Sequence, residues 1–320
     1  MSKQRKKLKR RHKTRRKNSV WLLLIITLVL FFLALLSVEE WRRNKSQFYS
    51  GKKDTPKETT HEEASNPDQE QSISKKPPEK LADSQGFDPE LISLLLIANM
   101  PDGVAVQLVD HESYLLAYQE SYEQAAWVAY QLSRDELSGP HRRKDVFRED
   151  KLVATGSAHP DDYRLSGFDR GHLAPAADFS FSEQAMEKSF LMSNISPQLP
   201  GFNRGVWRKL EQQVRAWARE YEQVLVITGP LFTTATPKRI GENEVLVPDY
   251  FFKVLFEIHP PSYKMMAFLL KNQKSTRPLL DYAISVDSLE QFSGIDFFFH
   301  LPDSIENELE KKVSYEDWLE

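Results

Sequence analysis

Two stretches of this sequence hold the residue types from which proton transfer and cation binding can be built. The first, "SGFDRGHLAPAADF" (Ser166 to Phe179), places His172 behind Asp169, Arg170 and a glycine. The second, "NISPQLPGFNRGVWRKLE", offers Asn194, Asn203 and Glu211. An imidazole whose ordinary pKa lies near ~6.5 can take a proton from water at neutral pH. Amide and carboxylate oxygens are the donors that a hard cation such as Mg²⁺ prefers. His172 is one of eight histidines, and on its own a DRGH tetrapeptide serves a structural hydrogen bond equally well. The downstream segment gives it a chemical setting.

Asn203, Trp207 and Glu211 recur every four residues, so a helix beginning near Phe202 carries all three along one side. Each has a plainer role available. Asn203 suits a helix N-cap, and Glu211 suits an exposed charge balanced by Arg208 or Arg215. Charge placement favours the chemical reading. Between Ser196 and Arg219 stand Arg204, Arg208, Lys209, Arg215 and Arg219 against the single acid Glu211. Such a cluster suits a polyanionic phosphate substrate, although part of it fits a solvated helix face.

These residues need elements to position them. "GFDPELISLLLIA" (Gly86 to Ala98) predicts a short helix with an acidic first turn. "SYLLAYQ" (113–119) and "AAWVAYQLS" (125–133) predict strands, rich in apolar and aromatic residues. "SEQAMEKSFLM" predicts a helix, and "GVWRKLEQQVRAWAREY" a stronger one, with Trp207, Leu210, Val214, Trp217 and Tyr221 near 3.6-residue spacing. "QVLVITGP" predicts a buried strand, and "DYFFKVLFEIHPPSYKMMAFLLK" two strands joined at His259 to Ser262. Strands and helices mix without regular βαβ alternation, so the expected class is α+β with a mainly antiparallel central sheet.

Composition bounds the rest. The 320 residues contain no cysteine, which removes thiolate nucleophiles, cysteine-ligated zinc and disulfides together. Net charge is −3, but residues 1–43 hold 13 basic and 2 acidic residues, leaving 30 basic against 44 acidic beyond them. The basic run 1–19 abuts "VWLLLIITLVLFFLALLSV" (20–38), an uncharged stretch of 19 residues. At 1.5 Å per residue it spans roughly 28 Å, the depth of a bilayer's hydrocarbon core. The expected layout is therefore a basic cytoplasmic tail (1–19), a transmembrane helix acting as uncleaved anchor (20–38), a flexible polar stalk (39–88) and a globular domain (89–320). By the positive-inside rule that domain lies outside the cytoplasm, at the cell surface or in the periplasm. A cleavable signal peptide is the rival, but its apolar region is shorter and ends in a small-x-small site.

"DYRLSGFDRGHLAPAADF", "FLMSNISPQLPGFNRGVWRKLE" and "VLVITGP", in that order, resemble the DNA/RNA non-specific endonuclease family, the ββα-metal nucleases. Weaker agreement covers about residues 113–270, leaving the anchor, the stalk and the tail after Lys271 outside. The resemblance implies a metal-dependent, sequence-non-specific endonuclease that hydrolyses phosphodiester bonds in DNA and RNA and leaves 5′-phosphate ends. It implies His172 as general base, Asn203 as the one protein ligand of Mg²⁺ (with Mn²⁺ able to substitute), and Glu211 as a group holding water around that ion. Arg170 would contact phosphate or orient the site, and Asn194 would support His172. Arg143, with Arg142 as the alternative, would match a family arginine upstream, and Arg204 and Arg208 would meet the substrate. The expected partners are DNA and RNA, a lipid bilayer through residues 20–38, and a second copy of the chain. The competing class is a non-catalytic, membrane-anchored module that binds nucleic acid or protein. A zinc hydrolase using His159 and His172 lacks the clustered spacing such sites show.

Overall fold

The computed structural model describes residues 87–260, 263–312, 315 and 318. The basic tail, the 20–38 stretch and nearly all of the stalk lie outside the described residues. Among the described residues no helix is long and apolar enough to cross a membrane.

The described chain opens with α1 (Pro89–Leu95), shorter than predicted because its N-cap is Asp88, whose side chain accepts from Leu91 N–H. Next come β1 (Gln107–Asp110), β2 (Leu115–Gln119) and β3 (Gln124–Ser133). A short ribbon then forms from β4 (Asp169–His172) and β5 (Ile195–Gln198), with α2 (Glu183–Lys188) between them. The chain continues through α3 (Arg208–Tyr221), β6 (Gln223–Leu231), a small hairpin of β7 (Arg239–Ile240) and β8 (Val245–Leu246), β9 (Tyr250–Glu257) and β10 (Lys264–Lys271). It closes with β11 (Ala283–Ile284), α4 (Val286–Ser293) and α5 (Asp303–Glu310).

Seven strands form one sheet in the order β1-β2-β3-β6-β9-β10-β11, with every neighbouring pair antiparallel. The α+β class and the antiparallel sheet are thus as the sequence predicts. Along β6 the side chains alternate between two cores. Val224 and Val226 pack with Leu210, Val214 and Trp217 of α3, whereas Leu225 and Ile227 pack with Val286 and Leu289 of α4 and Leu309 of α5. Because both faces are covered, "VLVI" reads as continuous apolar sequence rather than alternation. Truncating a side chain such as Leu210 to alanine is expected to cost ~2–5 kcal/mol.

One prediction needs correcting. The strong helix does not run unbroken from Phe202. Residues Phe202–Trp207 form a wide π-type turn broken at Gly205 (φ −105°, ψ −111°), and regular helix starts at Arg208. Helical periodicity therefore does not align Asn203 with Glu211. Another interaction sets the position of Asn203.

Candidate active site

That interaction is with Asp169. Nδ2 of Asn203 donates to Asp169 Oδ2 at 3.0 Å, and Arg204 grips both oxygens of the same carboxylate, Nε to Oδ2 at 2.8 Å and Nη2 to Oδ1 at 2.6 Å. A carboxylate accepts only, so the Asn203 amide must present its NH₂ to Asp169 and turn Oδ1 the other way. No hydrogen bond reaches that Oδ1 among the described residues. It is therefore held ready as a neutral oxygen donor. Asp169 begins β4 and His172 ends it, so Asn203 is tied to the strand roughly 10 Å of backbone from the histidine.

The ribbon that carries both residues depends on a glycine. A Cβ on Gly171 would collide with the buried side chain of Gln198, which pairs with Asp169 across β4 and β5. Any larger residue at 171 would have to displace the Gln198 side chain.

The His172 ring packs edge-on against Phe190 (centroids 4.9 Å apart) and beside Phe147 (5.6 Å). The residue keeps partial exposure, but Nε2 itself is shielded from solvent and has no hydrogen-bond partner. Burial lowers its pKa to about 3, with the Arg143 guanidinium adding to the effect and Asp145 opposing it. The imidazole is neutral at pH 7, with a lone pair or an N–H unspent.

Arg143 stands over the Phe190 ring at 5.6 Å and is held by Asp145, and its charge also acts on Glu211. Arg142 and Arg143 both line the same cavity, and the Arg143 charge is the one that acts on His172 and Glu211. Arg170 sits over Phe147 at 5.2 Å and donates to the Pro160 carbonyl through Nε (3.2 Å) and Nη2 (2.6 Å). Asn194 is fully buried; it accepts from Ala174 N–H and donates to the carbonyls of Ala174 and Ser189. Its amide is occupied, so it braces the backbone just beyond His172. Arg204 is committed to Asp169, and Arg208 is exposed with no ion pair among the described residues. His159 caps the turn Pro160–Tyr163, and no grouping of metal donors among the described residues includes a histidine.

Glu211 brings in residues that the sequence reading missed. It faces a charge network of Lys253 on β9, Asp178 and Arg215. Lys253 is only 1% exposed; its Nζ donates to Thr228 Oγ1 at 2.6 Å and lies 5.1 Å from the Trp207 ring. Asp178, also buried, accepts from Tyr130 OH at 2.7 Å and from Arg215 at 2.8 Å. Burial pushes the Glu211 carboxyl up, and Lys253 pulls it back. Burial likewise pushes the Lys253 ammonium down, opposed by Glu211 and Asp178. Two acids and two cations balance, as charges removed from water require. The signal for Lys253 was one charge inside "YFFKVLFEI", and Asp178 stood at the end of the first stretch quoted.

A cavity of about 480 Å³ is lined by Phe190, whose ring packs on His172, and by Arg142, Arg143 and Arg148, while its Lys144 is paired with the lining acids Glu183 and Glu187. Cations and an aromatic wall suit a phosphate backbone. A hollow of about 690 Å³ lies around His159, Arg164, Lys238 and Arg239, on the far side of the Pro160 turn that Arg170 holds, and His172 and Asn203 do not line it. The chemistry, not the size, selects the first.

Comparison with known proteins finds nuclease relatives of this chain. Human mitochondrial endonuclease G is 39% identical over 205 residues, covering 60% of this chain and 69% of that protein. A nuclease from Syncephalastrum racemosum is 35% identical over 219 residues, covering 61% of this chain and 68% of its own length. A chain in a crystal structure of the EndoG/EndoGI complex superposes with a TM-score of 0.61 at 27% identity, covering 68% of this chain and 94% of that one. The family match takes in residues 95–304, well past the boundary at Lys271 that the motifs suggested. The protein described here is a hydrolase of the nuclease class, and its chain belongs to the DNA/RNA non-specific endonuclease family.

Proposed function

We propose that the chain is a divalent-metal-dependent, sequence-non-specific endonuclease that cuts DNA and RNA to 5′-phosphate ends, with His172 as general base. The observation that carries this reading is the neutral, unpartnered Nε2 of His172 beside the Arg143 wall, on the strand that also fixes Asn203. The donor set fits Mg²⁺ or Mn²⁺. Asn203 Oδ1 is a hard oxygen with its amide already oriented, and an octahedral ion that keeps most of its waters needs few protein ligands. When bound there, the ion would supply charge neutralisation at the phosphate and at the departing 3′ oxygen.

The protein's own groups do the remainder. Neutral His172 accepts the proton of the attacking water at a ring nitrogen. Arg143 offsets charge on the phosphate and disfavours protonation of His172 before substrate arrives. Substrate phosphate partly cancels that field, so the histidine becomes a stronger base as the anion docks. Arg170 holds the Phe147 side of the pocket, Arg208 is free to meet backbone phosphate, and Glu211 sets a half-buried carboxyl, opposed by Lys253, beneath the site. Contacts to phosphate rather than to base edges give little sequence preference.

The test is nicking of supercoiled plasmid and degradation of RNA by the full chain in detergent, with Mg²⁺ or Mn²⁺, beside His172→Ala. Cleavage by the parent and its loss in a folded His172→Ala protein supports the reading; equal cleavage by both defeats it. The surrounding layout is part of the proposal: residues 20–38 anchor the chain in a bilayer and residues 89–320 act outside the cytoplasm. Protease protection in intact cells tests it, since a domain sheltered from external protease would contradict that topology. A second copy of the chain is the proposed assembly, checked by the mass of the particle in solution.

A further inference from the structure

On the opposite face of the sheet, acids gather without cations. Asp287 and Glu290 of α4 and Glu310 of α5 each offer a carboxylate oxygen, and these oxygens lie within 4.8 Å of one another. Glu310 is only 4% exposed, and its Oε1 is shielded and accepts no hydrogen bond among the described residues. The charges acting on it come from Glu290, Glu306, Asp287 and Asp296, all negative. The nearby lysines are engaged elsewhere, Lys311 with Asn307 and Lys312 with Glu308. Glu290 is oriented from behind, its Oε1 accepting from Phe297 N–H at 2.7 Å.

A buried carboxylate oxygen with no donor is costly, and three converging on one point more so. Either protons or a cation must neutralise them. Protons serve in metal-free protein, but three carboxylate oxygens converging within 4.8 Å offer more donors at one point than a proton uses. Oxygen donors alone, with no imidazole or sulfur, suit a hard ion. We propose that Asp287, Glu290 and Glu310 bind a hard divalent cation of the calcium class, at a structural site separate from the candidate active site across the sheet.

The consequence is mechanical. Leu309, adjacent to Glu310, is buried in the far-face core with Val286 and Leu289. A cation shared by α4 and α5 therefore locks the last helix onto the sheet, where like charges would otherwise push it off.

The test uses the full chain in detergent carrying Asn203→Ala, which removes the proposed catalytic ligand, stripped of metal with EDTA and desalted. Equilibrium dialysis against CaCl₂ or MgCl₂ and thermal unfolding are read together at pH 7.5. One Ca²⁺ per chain and a Tm raised by roughly 5 °C at saturation are expected. Adding Glu310→Gln should abolish both effects while leaving the cation-free Tm equal or higher. Asp287→Asn repeats the experiment should Glu310→Gln fail to fold. Absence of binding by either cation to the Asn203→Ala protein, or equally tight binding after Glu310→Gln or Asp287→Asn, overturns the proposal.

Discussion

The two faces of the central sheet bury acids in opposite ways. Against α3, Glu211 and Asp178 each have a cation within reach, Lys253 and Arg215, and the four groups hold one another in place. Against α4 and α5, Glu290 and Glu310 have only other acids around them. The first arrangement is complete within the protein. The second is complete only with something added, a proton or an ion. A nuclease needs its reacting groups rigid before the substrate arrives, and a self-balanced network provides that without depending on solution conditions.

The largest expected effect falls on the chemistry of the first face. His172→Ala should lower nicking by ~10²- to 10⁴-fold, the usual contribution of a positioned base, with the thermal midpoint held within a few degrees. A tenfold loss or less would mean that another group takes the proton.

Next comes the network itself. Lys253→Met takes away the cation that acts most strongly on Glu211, leaving Arg215 and Arg143, and should cost ~3–5 kcal/mol in chemical denaturation. Glu310→Gln, on the other face, should be neutral or stabilising because it removes a carboxyl that burial and the surrounding acids force to stay protonated. If both substitutions destabilise alike, the contrast between the faces is wrong.

A subtler change tests how the two site segments are joined. Asp169→Asn can no longer force the Asn203 amide to turn Oδ1 outward, because an amide partner both donates and accepts. The Mg²⁺ concentration for half-maximal cleavage should rise ~10- to 100-fold, as when the groups that orient a metal ligand are lost. An unchanged metal requirement would detach Asp169 from the role assigned to it.

How these parts could be read from sequence differs by residue. The antiparallel sheet followed from apolar runs such as "QVLVITGP", and His172, Asn203 and Glu211 from their types and order. The alignment of Asn203 with Glu211 rests on helical periodicity, and Gly205 interrupts it, the one residue in the stretch whose type warns of a break. The Asp169 bridge replaced it, a contact across 34 residues that no local pattern encodes. Lys253 was missed for a related reason. A lysine in an apolar strand is interpretable only once its partner on α3 is known. The acids of α4 and α5 carry no spacing signal in the sequence, and only packing shows Glu310 to be buried.

The smallest effect, and the one that separates the faces most directly, is the dependence of stability on pH in metal-free protein. On the far face burial raises Glu310 to about 9, reinforced by Glu290, Glu306, Asp287 and Asp296, and raises Glu290 and Glu306 to about 7. The folded state there holds protons that the unfolded state has already released above about pH 4.5. Stability from this face should therefore fall as pH rises from about 4.5 to about 9. His172 has the opposite sign. Its pKa is lowered to about 3, so from about pH 6.5 downward the unfolded chain gains a proton that the folded one refuses, and stability falls as pH drops. Denaturation profiles should respond accordingly: Glu310→Gln flattens the alkaline decline and leaves the acid side unchanged, while His172→Gln flattens the acid decline alone. A variant that altered both limbs would show that the faces titrate as one unit. Saturating Ca²⁺ should also flatten the alkaline limb, because an ion bound between α4 and α5 replaces the protons those carboxylates would otherwise keep.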